Sequence, residues 1–309
     1  MSKCSLTALL TLALVPLVTA AAQAPAALNS SASKTQVVML GTGTPVADPD
    51  TCGPAVAIVV NGAAYLVDCG PGVVRRAAAA ARKGISALKV TNIKVVFITH
   101  LHSDHTLGYP DLIFSPWVLG RKEPLESYGP RGLQSMTEYI EKAWEKDVDV
   151  RTNGLERGNR TGYKVHVHEI APGIIYKDAN VKVTAFLVAH GSWDQSFGYR
   201  FDTADRSVVL SGDTAPIESV VKACHGCDVL LHEVYNAVDP SRSADWIKYL
   251  RAFHTSTFEL AKIATEASPG LLILYHQGYG HPTPEAQILA EIKQHYSDKV
   301  AYAHDLDVY

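Results

Sequence analysis

The sequence predicts an α/β fold in which two sheets pack together with helices outside. Three observations carry this expectation. From Thr35 onward, β-like runs alternate with longer helical stretches. Strand candidates group in both halves of the chain, and each half has helices of its own. Hydrophobic residues make up 47% of the 309 and charged residues 19%, the balance of an ordinary packed core and not of a disordered chain.

At the N-terminus, Lys3, the apolar run Leu6 to Val18 and the small residues around Ala20 to Ala24 read as an export signal over residues 1–24. That run is too short for a membrane span, and no later stretch approaches one. Residues 25–35, rich in Ala and Ser, read as a flexible leader. Residues 36–309 read as one domain, because no shift in composition divides them. A periplasmic or secreted protein is expected.

Within the domain, Gln36 to Leu40 predicts a strand, ended by the turn Gly41-Thr42-Gly43-Thr44-Pro45. Ala55 to Val60 and Ala64 to Val67 predict a hairpin around Asn61-Gly62. Pro71 to Lys83, rich in Ala and stopping before Gly84, predicts a helix. Lys94 to Thr99 predicts a buried strand. Leu133 to Glu145 predicts a helix from its apolar spacing. Tyr163 to Ile170, Val181 to Val188, Gly198 to Phe201 and Ser207 to Leu210 predict strands, as do Val229 to Leu231 and Leu271 to Tyr275. Thr257 to Ala267 and Pro284 to Tyr296 predict helices.

The chemistry concentrates in Thr99-His100-Leu101-His102-Ser103-Asp104-His105, at the end of the run Val95-Val96-Phe97-Ile98. Imidazole nitrogen and carboxylate oxygen are the donors that zinc prefers. His100 and His102, two apart, can point the same way on an extended chain. Asp104 and His105 follow as the chain turns toward a helix start. Two adjacent pairs of donors suit two ions. His190, Asp213 and His276 each follow an apolar strand, where a rigid backbone presents the side chain to a cleft.

Among the cysteines, Cys224-His225-Gly226-Cys227 could close a local disulfide in an oxidising compartment or hold two half-buried thiols. Cys52 and Cys69 are also candidate partners.

The chain resembles the metallo-β-lactamase-fold hydrolases, in the branch of ribonuclease Z and related exported arylsulfatase-like enzymes. The landmarks are Leu40 to Pro45, Val67-Asp68-Cys69-Gly70-Pro71-Gly72, Thr99 to His105, Ser127-Tyr128-Gly129-Pro130, Gly198-Tyr199-Arg200, Ser211-Gly212-Asp213-Thr214, Leu231-His232-Glu233 and His254-Thr255-Ser256. The resemblance implies a four-layer αβ/βα sandwich of two mixed sheets, with two Zn2+ at one edge and Mn2+ or Fe2+ as alternatives. It implies that His100, His102 and His190 bind one ion. Asp104, His105 and His276 would bind the other, with Asp213 bridging. Asp68 would orient a ligand histidine. Asp104 and His254 are the catalytic candidates, His254 as donor to the leaving oxygen. His232 and Glu233 match the branch, with a structural role as the equal alternative. His281 lies near His276 and is a cleft candidate.

Two further groups bear on the substrate. Trp246, Tyr249 and Phe253 share one helical face by their spacing. Core packing is their first reading, and a wall for an aryl leaving group is the second. Arg151, Arg157 and Arg160 read as a solvated loop. The formal net charge of −3 is the wrong sign for gripping a nucleic-acid backbone over a wide surface. Ribonuclease Z proper carries an extended arm, and the short stretch between His190 and Asp213 leaves no room for one. The expectation is a small anionic ester, an aryl sulfate or a phosphodiester, cleaved by an exported hydrolase. Nucleic acid is disfavoured as a partner, and a homodimer is allowed. The alternatives are a ribonuclease Z-type endoribonuclease, a lactonase- or β-lactamase-like hydrolase and, last, a non-catalytic metal-binding scaffold.

Overall fold

The first three strands, β1 (Thr35–Gly41), β2 (Ala55–Val60) and β3 (Ala63–Val67), pair antiparallel. Asn61 and Gly62 close the hairpin between the last two, with φ of 50° and 81°, the positive pair that a tight two-residue turn requires. The structure is a computed structural model that describes residues 35–277 and 284–309. The export signal, the leader up to residue 34 and His281 lie outside the described residues. Thr35 belongs to β1 and not to the leader.

The first half continues with α1 (Val73–Arg82), β4 (Val95–Phe97), α2 (Ser103–Thr106), α3 (Tyr109–Val118), β5 (Leu125–Gly129), α4 (Leu133–Ala143), α5 (Glu145–Asn153) and β6 (Val165–Glu169). β4, β5 and β6 add in parallel, giving a mixed six-stranded sheet in the order β1-β2-β3-β4-β5-β6. The second half holds β7 (Gly173–Lys177), β8 (Val181–Leu187), β9 (Phe197–Thr203), β10 (Ser207–Leu210), α6 (Glu218–Cys224), β11 (Val229–Val234), α7 (Ala244–Phe253), α8 (Thr257–Ala267), β12 (Leu272–Gln277), α9 (Glu285–Lys293) and β13 (Val300–Tyr302). Its seven strands run β13-β12-β11-β10-β9-β8-β7, parallel from β10 to β13 and antiparallel from β7 to β10.

Alternate residues along the strands divide the core into three layers. Val37, Met39, Ile58, Val95 and Phe97 meet Val183, Phe197, Phe201 and Ile273 between the sheets. Val38, Leu66 and Val96 face Val74, Ala77 and Leu112 of α1 and α3 on one outer side. Leu230 and Leu272 face Leu260, Ala264 and Ile288 of α8 and α9 on the other. The result is the expected four-layer sandwich of two mixed sheets. No helix among the described residues is long and apolar enough to cross a membrane.

Several elements depart from expectation. The helix read as Leu133 to Glu145 ends at Ala143, and α5 follows it. Arg151 lies in the last turn of α5, paired with Asp147 and Glu156, and not in a loop. α3 is hidden in the sequence by Pro110 and Pro116. Pro110 sits in the first turn, where no backbone donor is needed. Pro116 leaves the Leu112 carbonyl without its helical partner. Arg121, 1% exposed, supplies the missing donor: its Nη1 reaches the Leu112 oxygen at 3.0 Å. Its other nitrogens reach the Ile113 and Gly162 oxygens at 2.8–3.2 Å. Replacing Arg121 with alanine should therefore cost about 3 kcal/mol or more, because buried carbonyls lose a charged donor. A lowered urea midpoint with an unchanged m-value would show it; an unchanged midpoint would refute the account.

Cys224 and Cys227 form a disulfide at the end of α6, while Cys52 and Cys69 are free.

Candidate metal centre

β10, β11 and β12 run parallel, so their C-terminal ends bring Asp213, Glu233 and His276 to one edge. The loop after β4 brings His100 and His102 to the same place, and α2 adds Asp104 and His105. His190 follows β8. His276 is the extra residue of a bulge, since Glu233 pairs with Tyr275 and Val234 with Gln277. Its φ is 51°, an uncommon backbone state for a residue other than glycine. The bulge turns the imidazole out of the strand's alternation.

Two groups of donors result. His100, His102, His190 and Asp213 form one; Asp104, His105 and His276 form the other. In the first, His102 Nδ1 lies 2.9 Å from His100 Nε2 and 3.1 Å from His190 Nε2. In the second, the Nε2 atoms of His105 and His276 lie 3.3 Å apart, and Asp104 Oδ2 is 3.6 and 3.5 Å from them. Asp213 stands between the groups: Oδ2 is 3.1 Å from His276 and 4.0 Å from His190, and Oδ1 is 3.5 Å from His105. Tetrahedral zinc with bonds of roughly 2.0–2.1 Å separates its ligands by about 3.3 Å, so these spacings fit an ion.

The outward nitrogens show that the fit is built in. His190 Nδ1 donates to the Phe253 carbonyl at 2.8 Å, and His276 Nδ1 to the Gly43 carbonyl at 2.6 Å. His105 Nδ1 donates to Asp68 Oδ2 at 2.9 Å. His100 Nδ1 faces the Thr99 hydroxyl at 3.0 Å, whose proton goes to Asp68. Each bond places a ring proton outside and turns Nε2 toward the cluster. Burial holds His100 and His102 below the usual imidazole range, and His190 down to about 4, so these rings are neutral. Burial acts the same way on His105 and His276, but Asp213 outweighs it and raises both. Burial would lift Asp213 in turn, yet His276 and His105 hold it well down, as the carboxylate.

His102 differs. The Trp193 indole donates to its Nε2 at 2.9 Å, which puts the ring proton on Nδ1, toward the other donors. A cation bound there must displace that proton and break the indole contact. Zinc addition to the metal-free chain should therefore change tryptophan emission, and Trp193→Phe should abolish most of that change; an identical response in the variant would refute it. Trp193 carries no signature in the sequence. Nor do the carbonyls of Gly43 and Phe253, because a backbone acceptor is independent of residue type.

The remaining candidates are placed as follows. Asp68, 2% exposed, bonds Thr99 and His105. Glu233 Oε1 accepts from the backbone of Thr214 at 3.3 Å and Thr255 at 2.9 Å, tying the Asp213 and His254 loops together. Burial, with Asp213 nearby, raises its carboxyl. His254 Nδ1 is 3.4 Å from Glu233 Oε1, and burial lowers the ring to about 4. His232 is buried, with Nδ1 on its neighbour's carbonyl, and lies outside the cavity. A cavity of about 240 Å³ opens over the donors, lined by Thr44, Pro45, Val46, Trp246 and Tyr249 together with His102, Asp104, Asp213, His254 and His276. Trp246 and Tyr249 are half-buried: they border the cavity and also pack against the buried pair Tyr235 and Leu250, so each reading of their spacing holds in part, while Phe253 meets the His190 ring.

A profile for the β-lactamase superfamily domain matches residues 64–277. The chain is 31% identical over 277 residues to a protein of Mycobacterium bovis named ribonuclease Z, covering 88% of this chain and 96% of that one. Its fold is similar to that of human tRNase Z, short form, with a TM-score of 0.65 and 26% identity, covering 89% and 98% of the two chains. It is also similar to the metallo-β-lactamase fold protein YhfI of Bacillus subtilis, with a TM-score of 0.68, 19% identity and 90% and 100% coverage.

These relatives overturn two expectations: a substrate among aryl sulfates or other small esters, and the disfavouring of nucleic acid. The short stretch between His190 and Asp213 does not set the chain apart, since the match spans nearly the whole of a protein named ribonuclease Z. The net charge counts only the polypeptide, whereas a bound cation is the largest local charge of a metal site. With this fold and this cluster of donors for a divalent metal, the chain is a hydrolase that belongs to the β-lactamase superfamily, alongside relatives named ribonuclease Z.

Proposed function

We propose that the protein is a metal-dependent ribonuclease of the ribonuclease Z type, hydrolysing a phosphodiester bond in a transfer-RNA precursor. The observation that carries this reading is Asp213, set between two adjoining donor groups in a chain similar along its length to ribonuclease Z. His100, His102 and His190 would hold one zinc ion, and Asp104, His105 and His276 a second, with Asp213 shared. Mn2+ or Fe2+ are alternatives for the same donors. When bound, such ions supply a water activated at neutral pH and neutralise charge on the phosphate oxygens.

The chain's own groups do the rest. The outward bonds of His100, His105, His190 and His276 hold the donors in register before any ligand arrives. Glu233 fixes the loop that carries His254. His254 lines the cavity and, held near 4 by burial, is neutral at pH 7. It therefore meets the leaving oxygen as a neutral hydrogen-bond donor.

The test is incubation of the zinc-loaded chain with a transfer-RNA precursor bearing a 3′ extension. A single cut that chelation abolishes is expected. His254→Ala should slow it by about 10²–10⁴-fold with zinc content unchanged. Absence of cleavage in the zinc-loaded wild type would sink the reading.

A further inference from the structure

The aromatic face of α7 is left over once the metal donors have been assigned. Trp246 and Tyr249 stack with centroids 4.9 Å apart and planes 10° from parallel. Tyr249 and Phe253 continue the stack at 4.5 Å and 20°. Phe253 meets His190 edge-on at 5.0 Å, so the stack starts against a metal donor and runs outward along the cavity wall. Gly191 makes room for it: a Cβ there would lie 2.0 Å from Phe253 Cζ.

Ser243 caps the helix, and Leu250, fully buried, packs on Tyr235, with one side of Trp246 and Tyr249 against the same pair. Trp246 and Tyr249 are only half-buried, and both line the cavity that holds Asp104, Asp213 and His276. Thr44, Pro45 and Val46 line the same space. Its volume of about 240 Å³ leaves room for a single nucleobase beside the donors.

We propose that Trp246 and Tyr249 form a stacking subsite for an unpaired nucleobase flanking the scissile phosphodiester. The inference rests on the ribonuclease reading and adds to it a demand on the substrate: a base next to the cut must be unpaired to enter. Aromatic stacking accepts every base, because each has a π-face. Base identity at that position is then free, while presence of a base is required.

Two measurements on the zinc-loaded full chain test this. The first is quenching of tryptophan emission by the dinucleotide adenylyl-adenosine. Wild type should be quenched, and Trp246→Leu should lose most of the effect. The second is kcat/KM on single-stranded RNA with and without one abasic ribose beside the cut. Wild type should lose about 10- to 100-fold on the abasic RNA. A Trp246→Ala/Tyr249→Ala variant should lose as much on intact RNA and nothing further on abasic RNA, at unchanged zinc content. Trp246→Phe with Tyr249→Phe, which keeps two rings, should restore most of the rate. Equal losses on intact and abasic RNA in the alanine variant, or quenching that survives Trp246→Leu, would overturn the subsite. A wild type that cleaves no RNA yet is quenched through Trp246 would leave the subsite standing and overturn only the ribonuclease reading.

Discussion

Asp213→Ala should all but abolish turnover, lowering kcat/KM on RNA by roughly 10⁴-fold, equivalent to about 5 kcal/mol of transition-state stabilisation. Among the described residues, no other carboxylate is shared in this way between the two donor groups. Its oxygens lie 3.1 Å from His276, 3.5 Å from His105 and 4.0 Å from His190, and it is 2% exposed. Five donor imidazoles converge on this edge, and cations brought there would repel one another without a shared negative charge. Metal bound per chain should therefore fall together with rate, and excess zinc should not restore the rate. Asp213→Asn separates charge from shape. It preserves the side-chain volume, so the fold should hold, while metal content and rate should fall nearly as far as in the alanine variant. Elemental analysis of the purified variants beside RNA cleavage rates decides the matter. Turnover within tenfold of wild type in Asp213→Ala would remove the shared-carboxylate role.

What could be read in advance follows from where the signal resides. His100, His102, Asp104 and His105 are legible because their donors fall on nearly consecutive residues after an apolar strand. The hairpin at Asn61-Gly62 and the helix Thr257–Ala267, with Ser256 and Glu259 forming its capping box, are legible because the determinants are local. α3 is not, because the group that tolerates Pro116 is Arg121, outside the helix. The His276 bulge is not, because it depends on pairing with β11, contributed by a distant part of the chain. The substrate is not legible for a related reason. Net charge and segment length are properties of the whole chain, while the site is decided by a few side chains at one edge. The aromatic residues of α7 illustrate this: their spacing defines a face, but only the tertiary structure shows that Trp246 and Tyr249 border the cavity as well as the buried pair Tyr235 and Leu250.

Asp68→Ala provides the contrast with Asp213, because Asp68 touches the donors' outer side. Its φ of 60° is a strained state for a residue other than glycine, and it persists because the surroundings over-determine it. The Asp68 amide donates to the Phe97 carbonyl at 2.8 Å. Oδ1 accepts the Thr99 amide at 2.8 Å, while Oδ2 accepts the Thr99 hydroxyl at 2.9 Å and His105 Nδ1 at 2.9 Å. Alanine leaves these buried donors without an acceptor, at roughly 1–3 kcal/mol each. The ring of His105 then loses the bond that sets its tautomer, and the Thr99 hydroxyl that faces His100 loses its own anchor. Zinc affinity should weaken by about 10- to 100-fold, the usual effect of removing a partner behind a metal ligand. Because no donor to the ion has been deleted, saturating zinc should recover much of the RNA cleavage rate, which it should not do for Asp213→Ala. Asp68→Asn retains one acceptor oxygen but brings an amide N–H₂ against donors, so it should resemble alanine more than wild type. Calorimetric zinc titration of the metal-free chain, with rates at rising zinc, distinguishes the cases. Wild-type affinity in Asp68→Ala would mean that the His105 bond does not tune the site, and a rate that zinc cannot rescue would place Asp68 among the groups that act on the reaction directly.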